Sequence, residues 1–192
     1  SHPLMQVANA EAPVAMVALS SNSSLCGGYN ANVISLATKQ VEVEKSAGHE
    51  VVFYALGKKM AEGLRMFDVA FASETLVDKP SFDPTAALFD QLMQDFLEGR
   101  YSRVDVCYNR FRSAALQEPT IETLLPCIPP AGSTVVNHEY IFEPDAPSFF
   151  AYTLTHFARL QLYTCVLNNY VGEHGARMTA MSQATDNANT LV

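Results

Sequence analysis

Along residues 13–143, short apolar runs alternate with amphipathic stretches, whereas residues 148–192 carry one long helical pattern. Residues 13–20 (PVAMVALS) are almost continuously apolar and close on a serine. Such a run predicts a strand covered on both faces. Residues 21–28 are polar, contain two glycines and predict a loop. Asn30 is then placed to cap a helix reaching about Glu44, with Val33, Ile34, Ala37 and Val41 on one side. Strands are predicted over 49–56 and 68–73, with a short helix within 57–67 that exposes Lys58, Lys59 and Arg65.

Pro80 and Pro84 mark a break, after which Asp83 or Thr85 is expected to cap another helix. Ala86, Leu88, Phe89, Leu92, Met93, Phe96 and Leu97 give it a wide apolar face, and Gly99 ends it. Val104, Val106 and Tyr108 alternate with Asp105, Cys107 and Asn109, the period of a strand with two unlike faces and room to run toward Leu116. Residues 120–125 read as extended, Pro126, Pro129, Pro130 and Gly132 as a loop, and 140–143 as a last short strand. Strands and helices in this alternation predict an α/β fold with a three-layer sheet.

No proline follows Pro147. Residues 149–167 are rich in large apolar side chains, from Phe149 and Phe150 to Val166 and Leu167. Beyond them Ala176, Ala180, Ala184 and Ala188 recur every fourth residue, a stripe that lets a second helix approach closely. A helix over 148–192 is about 67 Å long at a rise of 1.5 Å per residue. A compact body of this chain length is only about 40 Å across, so the helix is expected to protrude. Gly172 and Gly175 are the positions where it could break.

Composition narrows the function classes. The 192 residues hold 12 basic and 20 acidic side chains, a formal net charge of -8. That balance argues against nucleic-acid binding and against an anionic membrane surface, both of which need a basic face. No segment is long and apolar enough to cross a bilayer, and no signal-peptide pattern opens the chain. Cys26, Cys107, Cys127 and Cys165 are too scattered for a zinc site and fit a reduced compartment.

Two pieces of chemistry are worth weighing. The loop from Ser23 to Asn30 joins a buried strand to a helix, where nucleotide-binding sheets place a phosphate loop. It has neither the G-x-G-x-x-G spacing nor a P-loop lysine, and a tight turn using Gly27 and Gly28 at positive φ competes with it. Cys26, at the same helix start, is the candidate thiolate for a cysteine hydrolase, which then needs His49, His138, His156 or His174 beside it. Glu173, His174, Arg177 and Asp186 make a poor metal set and a better solvated or partner-facing surface.

Two longer stretches carry a resemblance. Leu25-Cys26-Gly27-Gly28-Tyr29-Asn30-Ala31-Asn32 follows the first buried strand, and Ala176-Arg177-Met178-Thr179-Ala180-Met181 leads into Ala184-Thr185-Asp186-Asn187-Ala188. Together they resemble the hallmark stretches of the gamma subunit of F-type ATP synthases. Gly57-Lys58-Lys59, Asp78-Lys79-Pro80, Pro119-Thr120, Leu124-Leu125-Pro126 and Tyr140-Ile141-Phe142-Glu143-Pro144 follow that family in the same order. Asn22, Ser23 and Ser24 depart from it, standing where the family has an aspartate, a basic residue and a glycine. The acidic insertion with paired cysteines of chloroplast members is lacking.

The resemblance implies a Rossmann-like α/β foot domain over 1–145 and the start of a C-terminal coiled-coil helix over 146–192. It also implies that the family's N-terminal helix and the end of its C-terminal helix lie outside this sequence. The implied role is a non-catalytic rotor stalk that needs no cofactor or metal and transmits torque between a ring of c subunits and the alpha and beta subunits. The implied partners are the epsilon subunit, the c ring and, through the outlying helices, alpha and beta. The implied place is peripheral, on the cytoplasmic face of a bacterial inner membrane. Arg177, Met178, Met181, Ala184 and Ala188 are the residues expected to meet the companion helix.

Overall fold

In the computed structural model, residues 2–128 and 146–192 are described. Strands β1 (Val14–Leu19), β2 (Val51–Leu56), β3 (Val69–Ser73), β4 (Arg103–Ser113) and β5 (Leu116–Leu125) form one sheet in the order β3-β2-β1-β4-β5. β1, β2, β3 and β4 are mutually parallel, and β5 returns antiparallel to β4. Helices α1 (Tyr29–Ser46), α2 (Lys58–Gly63), α3 (Thr75–Asp78), α4 (Phe82–Leu97) and α5 (Ala146–Thr190) flank the sheet.

β1 is the central strand because it has no polar face to show. All six of its residues are buried, flanked by β2 and β4. Ala15, Val17 and Leu19 point into one core with Phe89, Leu92 and Phe96 of α4 and Leu162 and Val166 of α5. Met16 and Ala18 point into the other, with Val33 and Ala37 of α1 and Met60 of α2. The three layers expected from the sequence are therefore present, with α1 and α2 on one side and α4 and α5 on the other.

The structure revises several local expectations. α1 starts one residue before Asn30 and has no side-chain cap; Asn30 instead turns back to the loop, accepting from Ser21 N at 2.9 Å and donating to Ser21 Oγ at 2.8 Å. α4 starts at Phe82 after Ser81, so neither Asp83 nor Thr85 is its cap, and the Thr85 hydroxyl donates to Ser81 O. The strand expected to run on toward Leu116 turns at 114–115 and returns as β5, which begins at Leu116 and not at residue 120. Of the loop glycines only Gly27 has positive φ, 61°; Gly28 does not, and Leu25 at 66° shares the left-handed region. α3 had no sequence signal. The strand expected at 140–143 lies outside the described residues.

α5 runs unbroken for 45 residues through Gly172 and Gly175. Ala158, Leu162, Cys165 and Val166 are buried against the sheet and Ala176 against Cys26 and Tyr29, so the packed body takes in α5 as far as Ala176. From Met181 onward every residue is exposed, and the helix projects.

Candidate functional site

In open parallel sheets ligands bind where the strand order reverses, beyond the C-terminal ends of the strands. Here that point lies between β1 and β4, since the chain winds outward through β2 and β3 and then crosses to the far side of β1. The loop after β1 and the start of α1 are there, as the sequence suggested. The crevice is filled by α5.

Tyr29, the first residue of α1, is buried, and its hydroxyl lies 2.8 Å from Asn169 O and 2.7 Å from Asn169 Oδ1. Burial, with Glu173 nearby, pushes the phenol pKa up, so the hydroxyl stays protonated and donates. Asn169 Nδ2 donates to Ser20 O at 3.0 Å. A carbonyl can only accept, so this contact fixes the amide orientation and leaves Oδ1 for Tyr29. Asn109 Nδ2 donates to Tyr29 O at 3.0 Å, tying β4 into the same network. Ser20, Asn109 and Asn169 are each at most 1% exposed, and each is hydrogen-bonded within this network.

A second side of α5 is held by the β4–β5 turn. β1 stops pairing with β4 at Cys107, so backbone groups further along β4 need other partners. Phe111 N donates to Asn168 Oδ1 at 3.1 Å, and the Thr179 hydroxyl lies 3.1 Å from Ala114 O. Gly175 lets the turn close in, because a Cβ there would stand 2.9 Å from Ala114 Cα. A third contact comes from Arg177, which binds Glu173 Oε2 at 3.0 Å and reaches Ser24 O at 3.4 Å. The β1–α1 loop, α1 and the β4–β5 turn thus form a collar around α5 over residues 168–179, where it leaves the body.

The sequence-predicted residues fall on either side of this collar. Arg177 is within it. Met178 is 68% exposed, and Met181, Ala184 and Ala188 are exposed on the projecting part. Helical spacing puts Arg177, Met181, Ala184 and Ala188 on one face, with Met178 about a quarter turn away. Asn168 and Asn169 escaped the sequence reading. Their signal was available: Asn169 interrupts the stripe that runs Leu162, Val166, Asn169, Glu173, Ala176, and Asn168 stands next to it.

Beside the collar is a cleft of about 330 Å³ lined by Gly28, Asn32, Asn109, Gln117, Thr179 and Gln183, among others. None of its lining residues is cationic, which suits a phosphate poorly. The Cys26 thiol lies near Ser21, Ser23 and Asn30, and no histidine among the described residues bonds it. Cys107 and Cys165 are pushed up to about 12 by burial, the state of inert core thiols. Among the described residues no three metal-ligating side chains gather, and no helix is long and apolar enough to cross a membrane.

The fold and its filled crevice define a class: an α/β body in which the nucleotide position of the sheet has become the socket of a projecting helix. Known proteins are similar to the chain. A family model described as ATP synthase matches residues 1–192. The chain is 39% identical over 186 residues to the ATP synthase gamma chain of Phocaeicola vulgatus, an alignment spanning 93% of this chain and 64% of that one. Against the gamma chain of Flavobacterium psychrophilum it is 36% identical over 180 residues, 93% of this chain and 62% of the relative. The central stalk and c ring structure of Tetrahymena thermophila mitochondrial ATP synthase matches with a TM-score of 0.69 at 20% identity, over 90% of this chain and 76% of that one. A rotor structure of Euglena gracilis mitochondrial ATP synthase gives 0.59 at 17% identity, covering 94% and 69%; these two likenesses bear on the fold. The chain belongs to the ATP synthase gamma family, and it spans a little under two thirds of the length of these curated relatives.

Proposed function

We propose that this chain is the foot and the root of the shaft in the central rotor of an F-type ATP synthase. It catalyses nothing itself. It transmits torque between a ring of membrane c subunits and the alpha and beta subunits, in a complex that couples ion flow to ATP synthesis. The observation that carries this reading is the collar: a long helix is fastened by buried hydrogen bonds into a rigid sheet and then projects with all its residues exposed. Family membership supports it, as does the crevice occupied by α5 where a ligand would otherwise sit.

In this reading the foot meets the epsilon subunit and the c ring. Arg177, Met181, Ala184 and Ala188 face a companion helix of the intact protein, with Met178 at the edge of that face, alanines giving the close approach and methionines the adaptable packing. The foot then corresponds to residues 1–145 and the shaft to 146–192, with the free shaft beginning past the collar. The place of action is the cytoplasmic face of a bacterial inner membrane, reached through partners, in keeping with the bacterial gamma chains it resembles.

The test is single-molecule rotation. The intact protein is assembled with its ATP synthase, the alpha–beta ring is immobilised, and a probe is attached at exposed Val43 on α1. ATP is expected to drive stepwise rotation of the probe in one direction. A stationary probe on a hydrolysing complex would overturn the proposal.

A further inference from the structure

A shaft that turns under load must not twist in its socket. Apolar contacts resist separation but slide sideways at little cost, because dispersion and burial are non-directional. Hydrogen bonds are directional and weaken steeply when misaligned. A twist about the α5 axis is therefore resisted chiefly where off-axis hydrogen bonds join the helix to the sheet.

Below the collar, α5 meets the body mainly through apolar side chains such as Ala158, Leu162 and Val166, apart from the half-buried Arg159–Asp90 pair and a long contact of 3.9 Å from Cys165 Sγ to Glu122 of β5. At the collar this changes. Asn169 is bonded to Ser20 of β1 and Tyr29 of α1, while its neighbour Asn168 is bonded to Phe111 of β4. Successive helix residues point about 100° apart, so the two amides grip different parts of the body in different directions. A twist of either sense misaligns both. The Tyr29 ring is also packed on Gly172, where an added Cβ would stand 3.2 Å from the hydroxyl oxygen, so the ring has little room to follow.

Resting on the rotor reading above, we infer that Asn169 with Tyr29 and Ser20, and Asn168 with Phe111 N, form the joint that carries torsional load between foot and shaft. These are positioning residues, and their effect is mechanical. Stability alone would be served by apolar residues of similar volume in place of a buried polar network. Directional bonds at the exit of the helix are what a loaded joint requires.

The experiment uses the intact protein in its assembled ATP synthase, with the alpha–beta ring immobilised and rotation paused. Angular fluctuations are recorded for a probe at Val43 on the foot and, separately, at Asp186 on the shaft; the excess at the foot reports the joint. Tyr29→Phe removes one hydroxyl and keeps the ring, and Asn169→Leu removes the amide. Losing the Asn169 amide is expected to lower joint stiffness by roughly half, widening the excess fluctuation about 1.4-fold, and Tyr29→Phe, which also loses the contact to the 169 carbonyl, should widen it too. ATP hydrolysis without load should stay near wild type, while ion uptake per ATP falls under an opposing gradient.

Val17→Ala, a core change away from the joint, controls for stability and should leave the width unaltered. Should Asn169→Leu fail to assemble, Tyr29→Phe alone decides. Wild-type width in the variants, or equal widening in Val17→Ala, overturns the joint while leaving the rotor reading intact. A wild-type probe that does not rotate with ATP overturns both.

Discussion

Glycine in the middle of a helix is normally a weakness, and α5 holds two. A helix interior favours alanine over glycine by about 1 kcal/mol, so the residues must be retained for space. At Gly175 the obstacle is the Ala114 backbone at 2.9 Å, which cannot give way without moving the turn. Overpacking of that kind costs about 1–3 kcal/mol. Gly175→Ala should therefore lose about 1 kcal/mol net, visible as a fall in Tm of roughly 2–4 °C. At Gly172 the obstacles are side-chain atoms of Tyr29 and Gln117 at 3.2–3.3 Å, so Gly172→Ala should cost less. An unchanged Tm for Gly175→Ala would show that the β4–β5 turn is not pressed against the helix.

Asp105 tests the same scale electrostatically. It is buried beneath Arg103 Nε at 3.0 Å and the Thr123 hydroxyl at 2.9 Å, and Arg103 also binds Glu44. Burial raises its pKa above the ordinary 3.8, outweighing the arginine and threonine that lower it. A raised value means the folded state holds its proton longer than the unfolded one. The stability so gained is present below the unfolded pKa and is lost as pH rises through the folded value. Asp105→Asn cannot ionise. Its stability relative to wild type should therefore improve as pH rises past the ordinary 3.8, as read from urea midpoints. A difference that moves the other way would mean that Arg103 dominates.

At the scale of elements, α5 is one helix with two regimes. Over residues 162–176 one face is buried against the body and pinned by the collar, whereas residues 181–190 are all exposed. Isolated helices shorter than about 12–15 residues are marginal in water. Amide hydrogen exchange should accordingly protect 162–176 close to the global limit and leave 181–190 exchanging orders of magnitude faster. Uniform protection along the helix would contradict this. The same contrast explains which element boundaries were legible. β1, β2 and the apolar face of α4 announce themselves because burial alone fixes them. The caps misled, since Asn30 and Thr85 spend their side chains on Ser21 and Ser81, contacts that periodicity does not encode. The β4–β5 hairpin was half seen because its turn, at Ala114 and Ala115, has no glycine or proline to mark it.

For the whole molecule, the switch-point crevice is the decisive feature. The sequence placed a polar, glycine-containing loop there, and a nucleotide was a fair alternative. The tertiary structure fills the crevice with Asn169, and the neighbouring cleft has no cationic lining. Titration with ATP or NAD should therefore give no saturable heat, and no chemical-shift change at residues 23–30. Saturable binding with protection of that loop would reinstate the nucleotide reading.

The sequence by itself determined the layered α/β class, the buried central strand, the long C-terminal helix and the family. Each of these rests on local periodicity or on ordered short motifs. It also placed Ala184, Ala188 and Met181 on one helical face, which needs only the 3.6-residue repeat. Only the tertiary structure decided that the helix is locked to the body at Tyr29, Asn168 and Asn169, that Arg177 is engaged by Glu173 and Ser24, and that Gly175 is a point of close approach. These contacts join residues up to 153 positions apart. A pattern read along the chain carries no distance between such positions; the fold supplies it.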